Sequence, residues 1–133
     1  MTDRPALSKA ETEVARVLWG LGEASARQVC EAMPTDQKRD FSTIQTYLSR
    51  LASKGYLTAE LKGRTKFFSP AVKRSQVVRE TVDEFVNRLF GGQALPLLRH
   101  LISERPVTPE ELAELRNLID RLEGESADHE EAP

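Results

Sequence analysis

The 133-residue chain is poor in cysteine: Cys30 is its only one. A single thiol excludes an internal disulfide framework and any multi-thiolate metal site. No apolar run approaches the ~20 residues that a helix needs to cross a bilayer, so no membrane insertion is expected. Met1 to Pro5 carry a basic residue with no apolar core behind it. No secretory signal is therefore expected, and the chain reads as cytoplasmic. His100 and His129 stand alone, without metal-ligand spacing, and no metal or other cofactor is expected. The chain lacks a nucleophile–base pattern and a phosphate-cradling glycine loop, which argues against an enzyme. It also lacks an internal repeat and a long linker.

What is present is an ordinary globular composition, 30% charged and 39% hydrophobic. The net charge of −2 hides an asymmetry. Residues 1–72 carry 11 basic against 8 acidic side chains, a balance of +3, and residues 73–133 carry 8 against 13, a balance of −5. Between Lys38 and Lys66 there are seven cations (Lys38, Arg39, Arg50, Lys54, Lys62, Arg64 and Lys66) against Asp40 and Glu60. A local basic patch in an acidic chain suits a phosphate-binding surface.

Helix starts are legible. Ser8–Glu11, Ser25–Gln28, Ser42–Gln45 and Thr108–Glu111 each place Ser or Thr three residues before Glu or Gln. In such a box the hydroxyl accepts from an orphan backbone N–H, and the longer side chain reaches back to the cap amide. The first helix is expected over Ser8–Leu21, with Val14, Leu18 and Leu21 inward and Gly22 ending it. The second is expected over Ser25–Met33, with Val29, Cys30 and Met33 apolar. The third is expected over Ser42–Lys54, with Ile44, Leu48 and Leu51 on one face and Gly55 as the stop. Trp19 is expected to anchor this core, and Cys30 to pack within it.

The period then changes. Tyr56–Lys62 and Thr65–Ser69 read as strands joined at Gly63-Arg64, with Pro70 closing the pair. A hairpin directly after three short helices is a wing. From Lys73 onward the pattern is helical again, over Gln76–Phe90, Ala94–Ile102 and Thr108–Leu122. These helices carry Val78, Val82, Phe85, Val86, Leu89, Phe90, Leu98, Leu101, Leu115 and Leu118 on their apolar faces. Three helices are too few to bury all of this, so the faces argue for a homodimer. The fold class expected is mainly α with a small β-hairpin wing. The domains are a winged helix-turn-helix over 1–72, a three-helix dimerisation domain over 73–122, and an acidic, disordered tail over 123–133.

The third helix points to function. Opposite Ile44, Leu48 and Leu51 lie Ser42, Gln45, Thr46, Ser49, Arg50 and Ser53, with Thr43 in the first turn. This face offers hydroxyls, one amide and one guanidinium, and no acid. Such groups bond base edges and phosphates in a major groove. An ordinary solvated face would more often alternate Glu and Lys. The basic turn of Lys62, Arg64 and Lys66 suits contact with the DNA backbone or minor groove.

Leu7–Trp19, Ala26–Val29, Phe41–Leu51 and Lys54–Leu57, followed by Arg88–Gly92 and Thr108–Arg116, resemble the penicillinase-repressor family, the BlaI/MecI/CopY group. The resemblance spans about Leu7–Leu122. It implies a winged-helix domain, a helical dimerisation domain and repression at a palindromic operator. It places DNA contacts on Ser42, Thr43, Gln45, Thr46 and Arg50. It also implies release by a membrane-bound metalloprotease sensor system that causes cleavage in the dimerisation region, and it aligns that bond with His100-Leu101. The chain departs from the family in three ways. The bond is not the family's Asn-Phe pair. The C-terminal cysteine cluster of copper-responsive members is absent, which excludes metal sensing through thiolates. Ser42 and Gln45 replace charges common in the family's recognition helix, which implies a different operator. The competing reading is a winged-helix module that binds protein and not DNA. Such a module would tolerate acids around the third helix, where this chain carries an excess of five cations.

Overall fold

The structure, a computed structural model, describes residues 4–131, with side chains as far as Ser126. The elements in chain order are α1 (Lys9–Leu21), β1 (Ala24–Ser25), α2 (Ala26–Ala32), a 3-10 turn (Thr35–Gln37), α3 (Phe41–Ser53), β2 (Leu57–Lys62), β3 (Thr65–Pro70), α4 (Arg74–Phe90), α5 (Ala94–Glu104) and α6 (Pro109–Glu131). Two compact units divide between Thr81 and Val82, inside α4 and not at residue 72 as the sequence suggests. The first turns of α4 belong to the N-terminal unit because Val77 is buried in its core and Glu80 pairs with Arg4 at 2.6 Å.

The N-terminal unit packs α1, α2 and α3 against a three-stranded antiparallel sheet of order β1-β3-β2. Val14, Leu18, Val29, Ile44, Leu48 and Leu51 are completely buried. Each contributes about 1.5–3 kcal/mol of burial, which fixes the outward direction of α3. The boxes at Ser8 and Ser25 form as expected. Leu21 does not face inward: it lies on the last turn of α1 and is 44% exposed. Trp19 is half-buried rather than central, and its Nε1 has no hydrogen-bond partner among the described residues. Cys30 is also half-buried, with Sγ 3.6 Å from the Arg39 carbonyl oxygen.

Gly55 ends α3 with φ +90°. Its N–H donates to the Ala52 carbonyl, and the Tyr56 N–H donates to the Leu51 carbonyl. This crossed pair needs the left-handed conformation that glycine adopts without strain. The chain thus reverses at once into β2. Gly63, with φ +65°, opens the two-residue turn between Lys62 and Thr65, the pattern of a type II′ hairpin. β1 has no counterpart in the sequence expectation. It is only two residues long and pairs Ala24 with Phe68 and Ser25 with Phe67, tying the start of α2 to the wing.

In the C-terminal unit, Gly91 and Gly92 break α4 from α5, and the Thr108–Glu111 box starts α6. None of the described side chains from Val82 to Ser126 is buried. α6 does not stop at Leu122. Its backbone stays helical to Glu131, so the stretch expected to be a disordered tail is helical over 123–131. Glu and Ala there favour helix, and no proline intervenes before Pro133. The remaining two tail residues, and the His129 side chain, lie outside the described part. Among the described residues no helix is long and apolar enough to cross a membrane.

Candidate nucleic-acid interface

α3 begins two residues earlier than the Ser42–Gln45 motif suggests. Asp40, extended at φ −70° and ψ 161°, holds the N-cap position, and the Ser42–Gln45 box does not form. The Asp40 carboxyl sits below the usual carboxylate range, chiefly through the Thr43 hydroxyl and further through the Ser42 hydroxyl. Ser42 Oγ lies 3.4 Å from Asp40 Oδ2. Thr43 is half-buried in the first turn of α3. Thr46 Oγ1 donates to the Ser42 carbonyl at 3.0 Å, so its outward chemistry is mainly its methyl group. Gln45 makes no hydrogen bond with a described residue, which leaves a complete amide on the exposed face. Ser49 and Arg50 are exposed one turn further on, and Arg50 lies 5.7 Å from the Tyr47 ring centroid.

Ser42, Gln45, Thr46, Ser49, Arg50 and Ser53 together line one shallow surface of α3. Beside it runs a deeper trough between α3, the start of α2 and the wing, in which Gln45 and Ser49 meet Arg27, Phe41, Arg64 and Lys66. Neither surface includes a carboxylate. The trough brings α3 and the wing turn together, as sequence reasoning requires. It also includes Arg27 and Phe41, which sequence reasoning misses. Their signal is three-dimensional: the Arg27 guanidinium lies 5.5 Å from the centre of the Phe41 ring, across fourteen residues of chain.

The structure redistributes the basic patch. Lys38 donates to the Cys30 and Glu31 carbonyls at the end of α2. Arg39 pairs with Glu13 at 3.0 Å, and Lys54 pairs with Glu11 at 2.6 Å. Lys62 Nζ lies 2.8 Å from Glu23, whose carboxylate raises the ammonium pKa above the ordinary lysine value. Four of the seven cations thus have protein partners. Arg50, Arg64 and Lys66 have no ion pair among the described residues, and all three border the α3 face or the trough.

Three helices, with a hairpin that pairs back onto a strand between the first two, define a winged helix-turn-helix, a class of DNA-binding protein. The model of the penicillinase repressor family matches residues 7–121, and the chain belongs to that family. It is accordingly a DNA-binding transcriptional repressor. The methicillin resistance regulatory protein MecI of Mammaliicoccus sciuri is 27% identical over 117 residues, covering 86% of this chain and 94% of its own. The penicillinase repressor of Bacillus licheniformis is 27% identical over 116 residues, covering 87% and 91%. Among solved structures, the DNA-binding domain of the repressor BlaI aligns with a TM-score of 0.49 and 32% identity over 56% of this chain and 92% of that one.

Proposed function

We propose that the chain acts in the cytoplasm as a homodimeric regulator, not an enzyme. In this reading each α3 enters the major groove of one half of a palindromic operator, and each wing rests on the adjoining backbone. The observation that carries it is the acid-free outer face of α3, continuous with a trough edged by Arg64 and Lys66. A duplex presents acceptors, donors and methyl groups in its major groove and phosphates on both sides. The α3 face supplies an unoccupied amide, a methyl and a guanidinium, and the wing supplies cations.

The dimer is supported by the C-terminal unit. Val82, Phe85, Leu89, Leu98, Leu101 and Leu118 are all exposed in the single chain, Leu89 to 64%. Val86, Phe90 and Leu115 are half-buried there, and Val78 is exposed on α4 within the N-terminal unit. A folded chain rarely leaves the large apolar side chains of successive helices in water. A second copy offers the same surface in self-complementary form.

Release is assigned to proteolysis at His100-Leu101 under a membrane-bound metalloprotease sensor system, in line with the family resemblance. Both side chains are exposed, and the bond lies within α5. A protease takes an extended strand, so cleavage there requires local opening of the helix.

Selection of duplexes from a random pool by the full chain tests this reading. An enriched inverted repeat is expected. Enrichment of a lone half-site, or of nothing, overturns it.

A further inference from the structure

We propose that Arg27, laid against the Phe41 ring, binds a DNA phosphate and closes the trough opposite the wing. With Arg64 and Lys66 it forms a clamp on one strand's sugar-phosphate backbone. The proposal rests on the DNA-reading assignment above and extends it to two residues outside α3's outer face and the wing.

Phe41 is 40% exposed and takes no part in the hydrophobic core. Core packing therefore does not account for an aromatic ring at the first position of α3. Arg27 is exposed on the first turn of α2 and makes no ion pair with a described residue. The guanidinium 5.5 Å from the ring centroid is in cation–π range. A guanidinium drawn to a ring in this way still has N–H groups to donate, and a guanidinium fork matches two oxygens of one phosphate. Arg27, Arg64 and Lys66 border the same trough, whose lining holds no carboxylate. Three cations with no counter-charge, a ring able to pack on deoxyribose, and Gln45 and Ser49 beside them describe a seat for a phosphodiester strand. A separate peptide or small anion would not need the trough to run along the α3 face.

The test uses the full chain and a duplex that the wild-type chain enriches from a random pool. Affinity is measured against salt, and phosphates are mapped by ethylation interference. Arg27→Ala should lower the log–log salt slope by about 0.9 for each phosphate that Arg27 neutralises. It should leave the selected sequence unchanged, and one phosphate whose ethylation weakens wild-type binding should become indifferent. Arg27→Lys and Phe41→Ala both keep the positive charge and break the guanidinium–ring pair. Each should hold the slope and weaken binding by about two- to fivefold. Thermal melting of each variant separates these effects from misfolding, and the Arg27 variants, altered at an exposed position, should melt unchanged. An unchanged slope in Arg27→Ala, with a reduced slope in Arg64→Ala, overturns the clamp and leaves the DNA-reading assignment standing. A changed sequence preference in Arg27→Ala overturns the phosphate role by making Arg27 a base reader. A wild-type chain that enriches no duplex overturns both assignments.

Discussion

The Lys54 ammonium lies 2.6 Å from Glu11 Oε1 and joins the end of α3 to the start of α1. The same carboxylate oxygen accepts the Ser8 N–H at 2.8 Å, so one buried oxygen both caps α1 and anchors the end of α3. Lys54 also donates to the Ala6 carbonyl, and the Tyr56 hydroxyl donates to that of Pro5. The segment before α1 is thereby strapped to the C-terminal end of α3. Burial alone would raise the Glu11 pKa. The Lys54 hydrogen bond, the Ser8 amide and hydroxyl, and the Lys54 charge outweigh it, and the carboxyl titrates below the ordinary glutamate range.

Glu11→Ala should therefore destabilise the N-terminal unit by about 2 kcal/mol, combining a lost cap with an unpaired, partly buried Lys54. In a unit of this size that corresponds to a fall in Tm of roughly 10 °C. The pH dependence has a definite sign. The folded pKa is depressed, so the stabilisation is fully present above the unfolded glutamate pKa and is lost as pH falls through the folded value. The gap between wild type and Glu11→Gln should hold steady at neutral pH and narrow in acid. Melting curves across that range check both points, and a gap that widens in acid would contradict the pairing.

The wing should show unequal cations. Arg64→Ala should lower the salt slope of DNA binding by about 0.9 per phosphate neutralised. Lys62→Ala should change it less, because Glu23 already offsets the Lys62 charge. Glu23→Gln should accordingly steepen the slope and tighten non-specific binding. Fluorescence titrations over a salt series measure all three. Equal effects of Arg64→Ala and Lys62→Ala would mean that the Glu23 pair does not persist near DNA.

The full chain should have twice the single-chain mass in light scattering at micromolar concentration. Charging the exposed face of α4 by the double change Phe85→Asp and Leu89→Asp should yield monomers. These side chains are exposed and outside the N-terminal core, so the melting of the N-terminal unit should be kept. A wild-type monomer would remove the basis for a palindromic operator.

Much of the fold is legible in the sequence because the signals are local. The Ser8, Ser25 and Thr108 boxes, the Gly55 stop and the Gly63 turn each depend on residues within a few positions. The misreading at Ser42 is also local. Its spacing to Gln45 matches a box, but Asp40 takes the cap first, and nothing in the spacing shows that competition. β1 escapes because two residues carry no period, and its partners, Phe67 and Phe68, lie over forty residues away. The outward face of α3 follows from Ile44, Leu48 and Leu51. Which cations remain unpaired does not, since the partners of Lys54 and Lys62 lie 43 and 39 residues distant. Arg27 and Phe41 are hidden for the same reason.

If the outer face of α3 reads bases, Gln45 is the side chain whose loss should show it. Its amide is exposed, without a partner among the described residues and free of any capping duty. Gln45→Ala should keep folding stability within about 0.5 kcal/mol of wild type and leave non-specific affinity unchanged, since no charge is lost. A glutamine amide can pair with adenine through two hydrogen bonds, so binding to the best duplex should weaken by about 1–3 kcal/mol. Duplex selection from a random pool, run in parallel for wild type and variant, is the measurement. Preference should relax at one position in each half-site and persist elsewhere. Identical preferences at equal stringency would contradict it and move base reading away from Gln45.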